Sequence, residues 1–235
     1  MTPGLILFDI DGTLLLSGRA GLRAMTRAFQ DAFGVADGFH HASFGGRTDS
    51  FLVSQALLAA GLPDTPDHHE RFRVTYVSLL AEEIQHTGTG VKGVMPGARE
   101  LLEALGGEPD LFLALLTGNY REAAEIKLSH FELDDYFEWG AFSDDAADRN
   151  HLVPIAIARA ETYDVPEEAR SRVTVIGDTP FDIECARVAG ARSVAVATGG
   201  FSVDALRAAG ADVVLTDLSD TDVVLGLLGT ADERR

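Results

Sequence analysis

Two aspartates stand two residues apart where an apolar run ends: Asp9 and Asp11 in "LILFDIDGTLLL" (5–16), followed by Gly12 and Thr13. Burying carboxylates is costly unless they are paired, hydrogen-bonded or bound to a metal. Two later stretches have the same form. "LFLALLTGN" (111–119) ends in Thr117, Gly118 and Asn119, and "RVTVIGDTPFDI" (172–183) ends in Asp178, Thr179 and Asp182. Carboxylates and water are the ligands of a hard cation, and Mg²⁺ takes one or two carboxylates together with phosphate oxygens. A carboxylate is also a workable nucleophile toward phosphorus. The set therefore suits phosphoryl transfer. Mg²⁺ between Asp9, Asp178 and a phosphate oxygen would remove the repulsion between two anions. Asp9 would attack. Asp11 would protonate the leaving oxygen and then activate water. Thr117, with the N–H groups of Gly118 and Asn119, and the turn at Gly12 would hold the phosphoryl oxygens.

These residues lie far apart in the chain, so the elements that carry them must bring them together. Short runs rich in Val, Ile and Leu alternate with amphipathic stretches at 5–8, 111–116, 172–177, 193–197 and 212–216. That alternation predicts an α/β fold with a parallel, Rossmann-like sheet, whose strands are apolar on both faces. In such sheets ligands bind beyond the carboxyl ends of the strands, where all of the polar residues named above fall. The stretch from about 17 to 93 breaks the pattern and reads as helices at 19–34, 48–61 and 68–86, with "LPDTPD" (62–67) as a loop. We expect a core of residues 1–16 and 94–235, and a smaller α-helical domain of 17–93 with glycine-rich joints near Ser17–Gly18 and Gly88–Gly93. The tail 229–235 is expected to fray.

Composition narrows the partners. The chain of 235 residues has 19 Lys and Arg against 37 Asp and Glu, a net charge of −18. Such a surface repels nucleic acid and anionic membrane. Cys185 is the single cysteine, so no internal disulfide forms, which fits a cytoplasmic location. No apolar run is long enough to span a bilayer. A monomer is the default expectation, with a dimer left open.

"FDIDGTL", "LLTGN" and "GDTPFDI", in this order on an alternating strand–helix chain, resemble the haloacid dehalogenase superfamily. The helical insertion after the first motif, and "MPGARELLEALG" (95–106) on re-entry, resemble its phosphoglycolate phosphatase-like and β-phosphoglucomutase-like members. The resemblance implies Asp9 as nucleophile and Asp11 as general acid/base, its backbone carbonyl on Mg²⁺. It also implies Thr117 on phosphate, Asp178 on the metal, and Asp182 on the metal or its water shell. An acid at position 11 favours phosphate esters over haloacids. The family's basic residue between the second and third motifs, usually Lys before Pro, is missing: "FSDDAADRNHLVPIAIARA" (142–160) holds no Lys. Arg149 is the expected substitute. Lys127 is the rival, and its mid-helix place predicts an ordinary surface residue.

Blander readings compete at several positions. "DIDG" shares the acidic spacing of a calcium loop, but the glutamate that closes such a loop is absent. Asp182 could simply favour a helix N-terminus. The histidine pairs 40–41 and 68–69, and the acidic run 143–148, read as solvated, and Cys185 as a packing residue. In "SFGGRTDS" (43–50), Gly46 and Arg47 make a loop able to touch substrate, with Arg47 as its only cation. The expected activity is Mg²⁺-dependent hydrolysis of a small phosphomonoester, phosphoglycolate-like or a sugar phosphate, through an aspartyl phosphate. A phosphosugar mutase is the alternative, and a non-catalytic phosphate-binding module a remote one.

Overall fold

The computed structural model describes residues 3–36, 38–39 and 45–229. His40, His41, the first two residues of "SFGGRTDS" and the tail beyond 229 lie outside the described residues. Six strands form one parallel sheet: β1 (Gly4–Phe8), β4 (Leu111–Leu116), β5 (Gly140–Ala141), β6 (Val173–Gly177), β7 (Arg192–Val196) and β8 (Val213–Leu215), in the order β5-β4-β1-β6-β7-β8. β1 lies inside the sheet, between β4 and β6. Its alternating side chains feed two cores. Ile6 and Phe8 pack among Leu101, Leu105, Leu115 and Leu128 on one side. Leu5 and Leu7 pack among Leu152, Ala156, Val175 and Ala186 on the other. A strand covered on both faces must be apolar throughout, which is why this one shows no polar alternation until Asp9.

The helices flanking the sheet are α4 (Ala98–Gly106), α5 (Arg121–His130), α6 (Leu152–Ala160), α7 (Glu167–Arg170), α8 (Pro180–Val188), α9 (Val203–Ala208) and α10 (Thr221–Gly229). Between β1 and α4 the chain forms α1 (Ala20–Phe33), α2 (Asp49–Ala59) and α3 (Pro66–Glu83), which share a core around Phe29, Leu57, Phe72 and Tyr76. That core also takes in Tyr120 and Ala123 at the start of α5, so the helical segment is seated directly on the sheet domain. α3 begins at Pro66, inside the stretch expected to be loop. Thr65 caps it by accepting from the His68 N–H at 3.4 Å, and proline at the first helical position already has the right φ. A two-stranded antiparallel ribbon, β2 (Leu15–Ser17) with β3 (Lys92–Val94), carries the chain into and out of the segment. The proposed boundaries at 16/17 and 93/94 fall within this ribbon.

The groups expected to be solvated keep partial exposure and also make local bonds. His69 Nε2 lies 2.7 Å from Asp64 Oδ1, and His68 Nδ1 lies 2.6 Å from the Pro63 carbonyl, so both imidazoles are held by the turn before α3. In the acidic run 143–148, Asp144 and Asp148 are exposed as expected, and the run also bonds to the surrounding elements. The Ser143 hydroxyl accepts from the Ser50 N–H at 2.8 Å. Asp144 accepts from the Arg121 N–H at 2.6 Å, and Asp145 pairs with Arg159 at 2.6 Å. Fixed donors from three elements face this turn; the Ser143 hydroxyl satisfies one and the Asp144 and Asp145 carboxylates the others.

Candidate active site

The carboxyl ends of β1, β4 and β6 open into a cavity of about 580 Å³, roofed by α1, α2 and Tyr76 of α3. Asp9, at the end of β1, is 5% exposed. Asp178, directly after β6, and Asp182, in the first turn of α8, are also buried. Carboxylate oxygens of these three residues all lie within 4.8 Å of one another. Burial raises Asp9 to about 7, with Asp182 and Asp11 adding repulsion and Arg149 opposing it. Burial and the neighbouring Asp9 and Asp182 raise Asp178 to about 9. Asp178 Oδ1 is buried without a hydrogen-bond partner among the described residues. An orphaned carboxylate oxygen beside two more carboxylates is a site that a divalent cation fits, and no protein donor fills it. Gly199, in the turn after β7, makes room for this carboxylate: a Cβ there would lie 1.6 Å from Asp178 Oδ2.

Both carboxylate oxygens of Asp182 already accept hydrogen bonds. Its Oδ2 accepts from the Thr179 N–H at 3.0 Å and from the Thr179 hydroxyl at 2.7 Å, closing a capping box on α8. Its Oδ1 accepts from Arg149 Nη2. The helix-start and site readings are therefore both physically present in one residue.

Arg149 sits in a short 3₁₀ turn (Arg149–His151) ahead of α6 and is 6% exposed. Its Nη2 donates to Asp9 Oδ1 at 2.9 Å, to Asp182 Oδ1 and to the Leu116 carbonyl at 3.3 Å. These two carboxylates hold its guanidinium charged against the cost of burial. The sequence placed a cation here, and the fold brings it onto the first aspartate.

The expectation for Lys127 is corrected: it is not a surface residue. Ala123, Ala124, Lys127 and Leu128 form the buried stripe of α5, and Lys127 is 4% exposed. Its Nζ donates to Asp11 Oδ1 and Oδ2 at 2.8 and 2.6 Å and to Asn119 Oδ1 at 2.7 Å. The spacing 123, 124, 127, 128 was the available signal, a lysine on the apolar side of an amphipathic helix. Asn119 is also used differently from expectation. Its amide donates to Asp11 Oδ2 at 2.8 Å and to Thr117 Oγ1 at 2.7 Å, while its backbone N–H turns toward Thr117 Oγ1 at 3.3 Å. Asn119 thus builds the surroundings of Asp11 with its side chain. Gly12, Thr117 and Gly118 line the cavity as expected.

The loop before α2 is docked on the turn that follows β4. The Asp49 N–H donates to the Gly118 carbonyl at 2.6 Å, and the Tyr120 N–H donates to Asp49 Oδ2 at 2.9 Å. A Cβ at Gly118 would come within 2.2 Å of the Arg47 carbonyl oxygen, so only glycine allows this approach. Burial raises Asp49 to about 7, opposed by Lys127 and the Tyr120 N–H. Gly46 and Arg47 both line the cavity. The Arg47 guanidinium is stacked between Phe51, 4.8 Å away, and Phe181 of α8, 4.3 Å away. Cys185 is buried beneath the site, its thiol pushed up to about 12 by burial, and it packs as expected. Asp49, Gly199 and Arg19 are cavity residues that their own sequence surroundings did not mark as a site.

Comparison with known proteins agrees with this geometry. The model of the haloacid dehalogenase-like hydrolases matches residues 6–196. The chain belongs to that family. Among curated relatives, a phosphoglycolate phosphatase of Pectobacterium atrosepticum is 25% identical over 226 residues, covering 95% of this chain and 92% of that protein. A protein of Caldanaerobacter subterraneus subsp. tengcongensis named as a pyrophosphatase, PpaX, is 24% identical over 217 residues, covering 91% and 90%. Among solved structures, a hydrolase from Pseudomonas syringae superposes with a TM-score of 0.69 at 28% identity, covering 97% of this chain and all of that one. The chain is thus a haloacid dehalogenase-like hydrolase. No helix among the described residues is long and apolar enough to cross a membrane.

Proposed function

We propose that the protein is a Mg²⁺-dependent phosphatase that cleaves a small phosphomonoester through a phosphorylated Asp9. The single observation that carries this is the buried, mutually repelling trio Asp9, Asp178 and Asp182, with one oxygen of Asp178 unpaired. Asp9, Asp178 and the Asp11 backbone carbonyl would hold Mg²⁺, with Asp182 orienting its surroundings. Bound there, the ion would offset the charge of the carboxylates and the phosphoryl group.

An oxygen of Asp9 attacks phosphorus and the ester oxygen leaves. Arg149, already on Asp9 Oδ1, keeps that carboxylate in place and shares its charge. Asp11 gives a proton to the departing oxygen, producing a free alcohol. Asp11, now a carboxylate, takes a proton from water. That water attacks the Asp9 phosphate, releasing inorganic phosphate and restoring Asp9. In the resting geometry both Asp11 oxygens accept from Lys127, the arrangement that suits the base half of this cycle. The acid half requires Asp11 to swing from Lys127 with a proton. Lys127 and Arg149 thus divide the work assigned to the family's single Lys, one serving the acid/base and the other the nucleophile.

The net charge of −18 disfavours polyanionic partners such as nucleic acid, and small soluble esters are the proposed substrates, with a cytoplasmic location and a monomeric state. The proposed helical cap, 17–93, covers the leaving group, with the loop at Gly46–Arg47 facing it. Both curated relatives carry names whose substrates have a second anion beside the scissile phosphate. The test is phosphate release from p-nitrophenyl phosphate with Mg²⁺, with EDTA, and by Asp9→Asn. Activity that survives either loss refutes the reading. Isomerisation of β-glucose 1-phosphate without phosphate release supports the mutase instead.

A further inference from the structure

We infer that Arg19 reads the far end of the leaving group and that this end is an anion, a carboxylate or a second phosphate. The inference rests on the phosphatase reading above. Four cations line the cavity: Arg19, Arg47, Lys127 and Arg149. Three are committed. Lys127 is bonded to Asp11 and Asn119, Arg149 to Asp9 and Asp182, and Arg47 is stacked between two phenylalanine rings. The Arg19 side chain has no hydrogen bond, ion pair or ring contact among the described residues, although acidic side chains outnumber basic ones almost two to one.

The backbone at Arg19 is as unusual as its side chain. Arg19 has φ 62° and ψ 24°, the left-handed region, at the residue that opens α1, and its side chain makes no capping bond. Glycine or asparagine occupies that conformation at less cost, and Ser, Thr, Asp or Asn caps a helix better. Arginine meets neither local need. The backbone is nevertheless fixed on both sides: the Gly18 N–H donates to the Val91 carbonyl at 3.0 Å, and the Arg23 N–H to the Arg19 carbonyl at 3.1 Å. The backbone thus holds an arginine on the cavity wall with its side chain unengaged among the described residues, available to a ligand.

The wall beside it explains how it would act. Leu16, Leu22, Met25 and Leu52 line the same cavity and give their part of its wall no hydrogen-bonding side chain. A sugar lying against them would leave hydroxyls unpaired. An unbranched body with a terminal anion would place its chain on the leucines and its charge on Arg19, an exposed side chain whose attraction salt would screen. The volume of about 580 Å³ admits leaving groups longer than glycolate.

The test uses straight-chain phosphomonoesters of two to six carbons, each ending in a methyl, a carboxylate or a second phosphate. Phosphate release gives kcat/KM for each. At one chain length the wild type should favour an anionic end over methyl by at least tenfold, which identifies carboxylate or phosphate as the anion, and this preference should shrink as salt is added. Arg19→Asn should cut the preference to about twofold or less and melt no lower than the wild type, because asparagine accepts the left-handed conformation. Arg19→Lys should recover part of the preference. A wild type that hydrolyses the series without favouring an anion, or an Arg19→Asn that keeps the preference, overturns the inference. A large drop in melting temperature for Arg19→Asn would assign Arg19 a structural role and overturn it too. No phosphate release from any member would instead defeat the phosphatase reading.

Discussion

Replacing the two buried cations separately should give two different signatures. Arg149 is 6% exposed at its side chain, and its partners Asp9 and Asp182 are 7% and 3% exposed. Arg149→Met leaves both carboxylates without their cation and out of reach of water. Removing one partner of a buried pair costs about 3–5 kcal/mol. For a chain of this size each kcal/mol lowers Tm by roughly 2–4 °C, so the loss should be about 6–20 °C. Lys127 is as buried, but its partner Asp11 has a side chain 39% exposed, so water can solvate the abandoned carboxylate. The cost of Lys127→Met should be nearer ~1 kcal/mol, or about 2–4 °C. Both variants should lose turnover. For Arg149→Met the loss should be at least about a hundredfold, close to 2.7 kcal/mol, the lower end for one preorganised charge-stabilising group. For Lys127→Met it should be at least about tenfold, within the range for general acid–base groups. Circular dichroism melts and phosphate-release kinetics at fixed Mg²⁺ measure both. A Lys127→Met protein that melts below Arg149→Met, or an Arg149→Met protein with near-normal turnover, would show that the two cations do not divide the site in this way.

Three further outcomes are expected. Gly199→Ala forces its new Cβ onto Asp178, since the ideal position lies 1.6 Å from Oδ2. Titration by calorimetry should show Mg²⁺ affinity reduced about tenfold or more, and unchanged affinity would remove Asp178 from the metal site. Asp178→Asn should stabilise the metal-free protein in a pH-dependent way. Burial and neighbouring carboxylates raise Asp178 from its ordinary value near 3.8 to about 9, so its ionisation costs nothing below pH 4 and progressively more up to pH 9. The Tm advantage of Asp178→Asn in EDTA should therefore be absent near pH 4 and grow toward pH 9; an advantage that shrinks with rising pH contradicts the sign. Arg47→Ala breaks the stack on Phe51 and Phe181, which joins the loop before α2 to α8. It should lower kcat/KM by similar factors, roughly three- to tenfold, on p-nitrophenyl phosphate and on the best straight-chain ester, as loss of a clasp worth about 1 kcal/mol predicts. A loss confined to one substrate would restore Arg47 as a direct contact.

The sequence by itself determined the sheet and the edge where chemistry gathers. Strands such as Leu111–Leu116 are apolar along their length because both faces are covered, and that local fact survives without any tertiary information. Asp9, Thr117 and Asp178 each follow such a strand, so a parallel sheet must bring them to one edge. The tertiary structure decided what each polar group meets. The spacing of Lys127 from Ala123, Ala124 and Leu128 puts it on the apolar side of α5, but only the packing of α5 against the helical segment turns it onto Asp11. Asp49 reads as an ordinary acid in the first turn of a helix, and only docking of its loop on Gly118 places it over the cavity. The acidic run 143–148 reads as a solvated face because its partners, Ser50, Arg121 and Arg159, come from three other parts of the chain. Arg19 shows the difference most plainly. Its left-handed φ and its unpaired side chain result from how β2, β3 and α1 meet, and neither leaves a mark on the letters around it. Periodicity records which side of an element is buried; it does not record what lies opposite, and a site consists of opposites.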